Sequence, residues 1–239
     1  MTYWLLKHVL LGPFLRLIYR PRVEGVDYVP ATGPAILASN HLSFIDSLFM
    51  PLSIKRQAVY LGKADYFDKW RTRWFVRAAG VIPVRREGGS AGEAAIQTGI
   101  QALREGNIIA IYPEGTRSPD GRLYRGKTGV ARMALEARVP VIPVAIQGTD
   151  EIMPIGMKFP RTIPGRVRVI FGRPLRFDRH YDTPKDRFVL RSVTDEIMYE
   201  IMMLSGQEYV DEYALKVKKE IAEGDRSSIA SEIDSARTG

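Results

Sequence analysis

His41 and Asp46 stand five residues apart in the run Asn40-His41-Leu42-Ser43-Phe44-Ile45-Asp46. Histidine is the side chain whose unperturbed pKa lets it take up a proton near neutral pH. A carboxylate folded back onto one ring nitrogen fixes the tautomer and stabilises the imidazolium. The other nitrogen is then free to take a proton from a hydroxyl. A spacing of five achieves this inside a loop or the first turn of a helix. The same residues carry a plainer reading. Ser43 or Asp46 would also serve as a helix cap, and a lone His with an Asp nearby arises often by chance. The chemistry therefore depends on what else the chain places beside them.

The apolar run Pro34-Ala35-Ile36-Leu37-Ala38 leads into the motif, and Ser47-Leu48-Phe49-Met50 follows it. This pattern predicts a buried strand ending at Ser39, a turn carrying His41, and a helix beginning near Ser43. Arg22 to Tyr28 reads as a short strand, and Gln57 to Leu61 as another ending at Gly62-Lys63. A helical stretch through Phe67, Trp70, Trp74, Phe75 and Ala78 interleaves aromatic and basic residues. Gly80 to Val84 is a short strand ending in Arg85-Arg86. Ser90-Ala91-Gly92-Glu93 fits a capping box, opening a helix with Ile96, Ile100 and Leu103 on one face and Gly106 as its stop. Asn107 to Tyr112 is nearly continuous apolar sequence of the buried parallel type. It ends in Pro113-Glu114-Gly115-Thr116-Arg117-Ser118. A Gly-rich loop, 121–126, precedes a helix from Lys127 to Ala137. Val141 to Ile146 is a strand that Pro140 and Pro143 mark as an edge or bulged one. Arg166 to Phe171 alternates as a half-exposed strand does, and Asp186 to Leu204 is helical, as is a piece after Gln207.

Alternating strands and helices indicate one α/β domain behind a helical N-terminal element. In such folds strand ends converge on a ligand crevice. There His41 and Asp46 would meet Arg85, Arg86, Lys127 and the Glu114-Gly115-Thr116-Arg117 turn. A supported base beside several cations suits deprotonating a hydroxyl on a phosphate-bearing molecule, because arginine forks grip phosphate bidentately.

Composition narrows the classes. The chain has 239 residues, 45% apolar and 26% charged, so it reads as globular. It has no cysteine, which excludes disulfides, thiolate nucleophiles and Cys-type zinc sites. Three histidines make a His-rich metal site a poor expectation. The net charge of +8 favours polyanions: nucleic acid, anionic lipid surfaces or phosphorylated substrates. No nucleic-acid-binding signature accompanies it. Tyr3 to Tyr19 is apolar but interrupted by Lys7, His8, Pro13 and Arg16, so it suits lying on a membrane surface or packing on the core rather than spanning. No small-residue cleavage site marks it as a signal peptide. The expected layout is an amphipathic element at 1–20, an α/β domain at 21–222 and a polar, disordered tail at 223–239.

The chain resembles the glycerolipid acyltransferases, and most of all the 1-acyl-sn-glycerol-3-phosphate (lysophosphatidate, PlsC-like) branch. Four blocks occur in the family order. His41 to Asp46 matches the His-x4-Asp block, Gly80 to Arg86 the second, Tyr112-Pro113-Glu114-Gly115-Thr116-Arg117-Ser118 the third, and Val139-Pro140-Val141-Ile142-Pro143-Val144 the fourth. Arg85 stands where the family often has an acidic residue, and Tyr112 replaces a usual Phe. The resemblance covers about residues 22 to 175. It implies a mostly parallel central sheet flanked by helices, with His41 as general base and Asp46 as its orienter. Acyl transfer would run from an acyl-coenzyme A or acyl carrier protein thioester to lysophosphatidate, giving phosphatidate. Arg85, Arg86, Glu114, Gly115, Thr116 and Arg117 would shape the acceptor phosphate site, with Lys63 and Lys127 as weaker additions. Glu114, itself an anion, would hold an arginine in place. The scheme needs no metal or cofactor beyond the thioester co-substrate. Partners are an anionic membrane surface and the substrates, with no nucleic acid, and oligomeric state is open. The expected position is peripheral or monotopic on the cytoplasmic face of the cell membrane. Glycerol 3-phosphate, another lysophospholipid or a glycolipid would be served by the same chemistry, and a non-catalytic lipid-binding protein could use the same fold.

Overall fold

The computed structural model describes residues 2–63, 80–84 and 91–224. Five strands run parallel: β2 (Ala35–Ser39), β3 (Ala58–Lys63), β4 (Val81–Val84), β5 (Ile108–Ile111) and β7 (Val141–Gln147). They lie in the order β7-β2-β5-β3-β4. β8 (Arg168–Phe171) adds antiparallel to β7, and β1 (Arg22–Glu24) closes that edge parallel to β8. A separate parallel pair joins β6 (Leu123–Tyr124) to β9 (Tyr209–Val210). The helices are α1 (Thr2–Leu5), α2 (Leu11–Tyr19), α3 (Asp46–Ser53), α4 (Ala91–Arg104), α5 (Gly129–Ala137), α6 (Thr149–Ile152), α7 (Arg187–Ser205) and a last one, α8, at 214–224. The aromatic and basic stretch at 64–79, Arg85, Arg86, Ser90 and the tail from 225 lie outside the described residues.

β5 is apolar throughout, and β2 up to its last residue, Ser39, because both faces of the sheet are covered. Along β2, Ile36 and Ala38 face one core with α4, α5 and α7, while Ala35 and Leu37 face the other with α2 and α3. Each such fully buried branched side chain is worth about 1.5–3 kcal/mol relative to exposure. This layering positions the site. The chain leaves β2 through α3 on one face and travels to β3. It leaves β5 through α5 on the opposite face and travels to β7. Two neighbouring strands whose exits diverge in this way open a crevice at their carboxyl ends.

Several expectations need correction. The helix after His41 starts at Asp46 rather than Ser43, because Leu42 to Ile45 form a turn closed by Asp46 N–H to Ser43 O. The strand containing Pro143 is central, not an edge. Pro143 O accepts from Gly172 N, so its proton-less nitrogen faces β8. There the partner carries one extra residue: Val144 pairs with Phe171, but Val141 pairs with Leu175. The bulge accommodates the missing donor. The helix expected from Lys127 begins at Gly129. The strand expected over Arg22 to Tyr28 stops at Glu24 and gives way to a 3-10 turn.

The N-terminal segment is helical and packed, with a π turn (Leu6–Leu10) joining α1 to α2. Leu15 and Tyr19 enter the core, Tyr19 edge-on to Phe49 at 5.7 Å. Lys7 Nζ donates to the carbonyls of Lys55 and Arg56 at 3.4 and 2.9 Å, and Arg16 to that of Leu52 at 2.9 Å. These cations satisfy carbonyls at and beyond the end of α3. Burial, reinforced by Arg16, brings the Lys7 ammonium down to about 8. Trp4, Leu5, Val9, Phe14 and Leu17 point outward and are exposed. Among the described residues no helix is long and apolar enough to cross a membrane.

Gly12 makes the π turn feasible, since a Cβ there would stand 1.8 Å from Lys7 O. Gly12→Ala is expected to loosen α1 and α2 from α3 and to lower stability by about 1–3 kcal/mol. Urea denaturation with limited proteolysis near residue 20 measures both, and an unchanged midpoint with no new cleavage would contradict the packing.

Candidate active site

The chain turns sharply out of β2 at Asn40, whose side chain continues the ladder between β2 and β7. Asn40 Oδ1 accepts from Ile146 N at 2.8 Å, and Nδ2 donates to Ile146 O at 2.9 Å. Nδ2 also meets Gln207 Oε1 at 2.7 Å, and Gln207 Nε2 donates to Gly121 O at 2.6 Å. One buried amide therefore anchors the His41 turn to β7 and to the segment after α7.

His41 is fixed from four sides. Its Nδ1 lies 2.9 Å from Asp46 Oδ2. Its N–H donates to Glu114 Oε2 at 3.0 Å, and its carbonyl accepts from Ser118 N at 2.7 Å. Its ring stacks on Tyr112, centroids 3.8 Å apart and planes within 8°. Tyr112 is held in turn by its hydroxyl, 3.1 Å from Ser47 Oγ. Burial raises the Tyr112 phenol well above its ordinary range, so it stays neutral beside the imidazole. Asp46 is fully buried. Its Oδ2 also accepts from Leu42 N and Ser43 N, each at 2.8 Å. An oxygen already accepting two amide protons is an acceptor toward the ring too. The proton sits on Nδ1, and the Nε2 lone pair is left to act on a substrate. The His41 side chain is 15% exposed.

Glu114 differs from expectation. Among the described residues its carboxylate meets no arginine: Oε2 takes His41 N–H and Oε1 takes Tyr124 N–H, both at 3.0 Å. It is a clamp between the His41 turn and β6, at 1% exposure. Gly115 follows with φ +73°, a left-handed conformation that suits glycine. A Cβ at this position would come within 2.9 Å of Lys127 Nζ, so the lysine lies across the Gly115 backbone. Lys127 N–H also donates to Pro113 O at 2.8 Å. Thr116 and Arg117 are partly buried in the same turn. Lys63 ends β3, next to β5 at the same sheet edge, and β4, from which Arg85 and Arg86 would follow, ends there one strand farther out.

Lys218 has no forerunner in the sequence reading. It reaches from α8, 102 positions away, to place Nζ 2.9 Å from Thr116 Oγ1. Burial lowers its pKa, Arg117 lowers it further by like-charge repulsion, and Glu114 opposes. Cations pressed together and partly dehydrated are an arrangement that an anion relieves. Among the described residues no group of three or more His, Asp or Glu side chains converges as a metal ion would require.

Burial pushes the Glu114 carboxyl up to about 7, against the pull of its two amide bonds and Lys218; Asp46 adds to the rise. Between the ordinary value of 4.5 and about 7, the folded state binds this proton more tightly than the unfolded state. Stability contributed by Glu114 is therefore full below that window and falls as pH rises through it. The stability advantage of wild type over Glu114→Gln should narrow between about pH 5 and about pH 8, by on the order of 3 kcal/mol at most. Denaturant titrations across that range measure it, and a gap that does not change with pH would mean Glu114 keeps one charge state throughout.

Comparison with known proteins agrees with this geometry. The family model described as Acyltransferase matches residues 20–147. A chloroplastic 1-acyl-sn-glycerol-3-phosphate acyltransferase from Arabidopsis thaliana is 32% identical over 66% of this chain and 44% of its own length. The 1-acyl-sn-glycerol-3-phosphate acyltransferase of Bacillus subtilis is 30% identical over 64% of this chain and 73% of its own. The chain thus spans less than half of the plant relative. The crystal structure of the Thermotoga maritima 1-acyl-sn-glycerophosphate acyltransferase, PlsC, superposes with a TM-score of 0.63 at 26% identity, covering 81% of this chain and 76% of that one. With its mostly parallel sheet, its His41 turn and more than half its length inside the matched region, this chain belongs to the acyltransferase family.

Proposed function

We propose that this protein transfers a fatty acyl chain from an acyl thioester to the free hydroxyl of lysophosphatidate, giving phosphatidate. The observation that carries the reading is His41. Its Nδ1, its ring face and both of its backbone groups are engaged, which leaves Nε2 to face substrate beside the turn of Thr116, Arg117 and Lys218. The printed activities of the plant, Bacillus and Thermotoga relatives point the same way.

In this scheme the acceptor hydroxyl gives its proton to His41 Nε2 as its oxygen attacks the thioester carbonyl carbon. The imidazolium that forms is stabilised by Asp46. The tetrahedral adduct collapses with cleavage of the carbon–sulfur bond, and the departing thiolate takes the proton back from Nε2. No acyl-enzyme is needed. Thr116, Arg117, Lys127 and Lys218 hold the acceptor phosphate, which fixes the distance of the hydroxyl from Nε2. Glu114 and Gly115 shape that site without touching the anion. Lys63, at the end of β3, belongs to the same proposal, and so do Arg85 and Arg86 by their sequence position after β4. The net charge of +8 and the exposed apolar face of α1 and α2 support seating on an anionic lipid surface, peripheral and on the cytoplasmic side.

His41→Ala is expected to abolish phosphatidate formation in a protein that still folds, with a wild-type far-UV circular dichroism spectrum. Asp46→Asn should lower kcat by on the order of a thousandfold or more, by mis-setting the tautomer. Mass spectrometry of products from mixed acyl-CoA and a panel of acceptors tests both; phosphatidate from His41→Ala at the wild-type rate would refute the mechanism. Lys218→Met should raise KM for lysophosphatidate about tenfold with little change in kcat, and Lys218→Arg should recover part of it. A monoacylglycerol acceptor, lacking phosphate, should not respond to the charge at 218; equal effects on both acceptors would place Lys218 in a structural role only.

A further inference from the structure

Between the loop before α5 and the start of α7 lies a recess of about 520 Å³. That volume falls within the range of about 300–1,000 Å³ typical of small-ligand sites. Arg125, Arg187, Arg191, Thr128, Phe188 and Tyr213 line it. Folding accounts for part of this lining. Arg191 donates to Asp195 and to Gly126 O, and Arg125 lies over the Tyr213 ring and 3.5 Å from the exposed Asp211. It does not account for the rest. Arg125 Nε is buried and has no hydrogen-bond partner among the described residues. Arg187 is exposed and makes no ion pair among them. The Phe188 ring, 88% exposed, covers no core. Three guanidinium groups with an aromatic ring at the rim match a ligand with several phosphates and a flat base.

Position narrows the ligand further. The recess sits on the sheet face covered by α5 and α7, where Leu190 enters the core. The exposed apolar residues of α1 and α2 belong to a segment packed on the opposite face. The recess thus lies away from the apolar face that the proposed function seats on lipid, on the side open to a water-soluble ligand. The recess is also linked to the base through one shared carboxylate. Arg125 directly follows Tyr124, whose N–H shares the Glu114 carboxylate with the His41 N–H.

We infer that this recess binds the nucleotide end of acyl-coenzyme A, with Phe188 against the adenine and the arginines on the phosphates. The inference rests on the acyl-transfer reading and commits it to coenzyme A rather than a carrier protein as donor. Arg187 and Phe188 are suited to the test because both are exposed and neither side chain has a bonding partner to lose.

The test uses the full chain with lysophosphatidate as acceptor and two donors, palmitoyl-CoA and palmitoyl-N-acetylcysteamine, which carries the same thioester without the nucleotide. The double variant Arg187→Ala, Phe188→Ala should raise the ratio of KM for palmitoyl-CoA to KM for the short thioester about tenfold or more. Adenosine 3′,5′-diphosphate should compete with palmitoyl-CoA in wild type, and calorimetric binding of it should weaken in the variant. An unchanged ratio, an equal rise for both donors, use of acyl carrier protein with refusal of palmitoyl-CoA, or loss of anionic-vesicle binding in place of nucleotide binding would each overturn the inference. Calorimetry reads the recess without turnover. Nucleotide binding by a wild type that acylates no acceptor would refute the acyl-transfer reading and leave the recess standing.

Discussion

One carboxylate oxygen organises the reacting end of this molecule. Asp46 Oδ2 faces His41 Nδ1 and accepts from Leu42 N and Ser43 N, all within 2.9 Å. A fully buried carboxylate without a cation beside it is tolerated when its charge is spread over such donors. The bonds that make burial possible are also those that bend the chain into the turn. Shape and tautomer are thus one constraint: the backbone cannot open without releasing the ring, and the Nδ1 proton cannot leave the ring without weakening the bond to the oxygen that closes the turn.

That turn would still be free to rock at the end of β2 if nothing held it from outside. The holding comes from the neighbouring strand. The turn after β5 contributes the Glu114 carboxylate to His41 N–H and the Ser118 N–H to His41 O, while Tyr112 supplies a flat surface for the imidazole. Glu114 does this with both oxygens committed, the second to Tyr124 N–H. Burial that raises its pKa to about 7 is the counterpart of water exclusion at this point. Because β2 and β5 are neighbours, their two turns meet directly at the carboxyl edge of the sheet, joined by these hydrogen bonds and the ring stack.

The strands were legible because burial on both faces leaves continuous apolar runs, and β2, β5 and β7 stand close to where those runs place them. The His41–Asp46 pairing was legible for a related reason: its partners are five residues apart, so spacing alone carries the geometry. Glu114 was visible as a residue but not in its role, since its partners are backbone amides, and an amide has no signature in sequence. Asn40, Gln207 and Lys218 act across 106, 167 and 102 positions, distances that no local pattern encodes. Pro143 signalled an edge or a bulge, and sequence could not choose between them because the extra residue between Phe171 and Leu175 belongs to another strand. The start of α3 was misplaced because Ser43, a good cap by residue type, lies inside the turn that Asp46 closes.

The two faces of the sheet differ in a way that suits a reaction between unlike molecules. One face carries the N-terminal segment, tied down by Lys7 and Arg16 while Trp4, Phe14 and Leu17 stay outside. Holding apolar residues in water costs free energy unless something apolar covers them. The other face carries α7, whose first turn presents Arg187 and Phe188 to solvent. The proposed acyl transfer would bring a lipid from a membrane and a thioester from water to one hydroxyl and one carbonyl carbon. The carboxyl edge of β2 and β5 is where the two faces meet, and His41 lies on that edge. In the proposed reaction a base on that edge would serve a lipid seated on one face and a thioester held on the other without either substrate crossing the sheet.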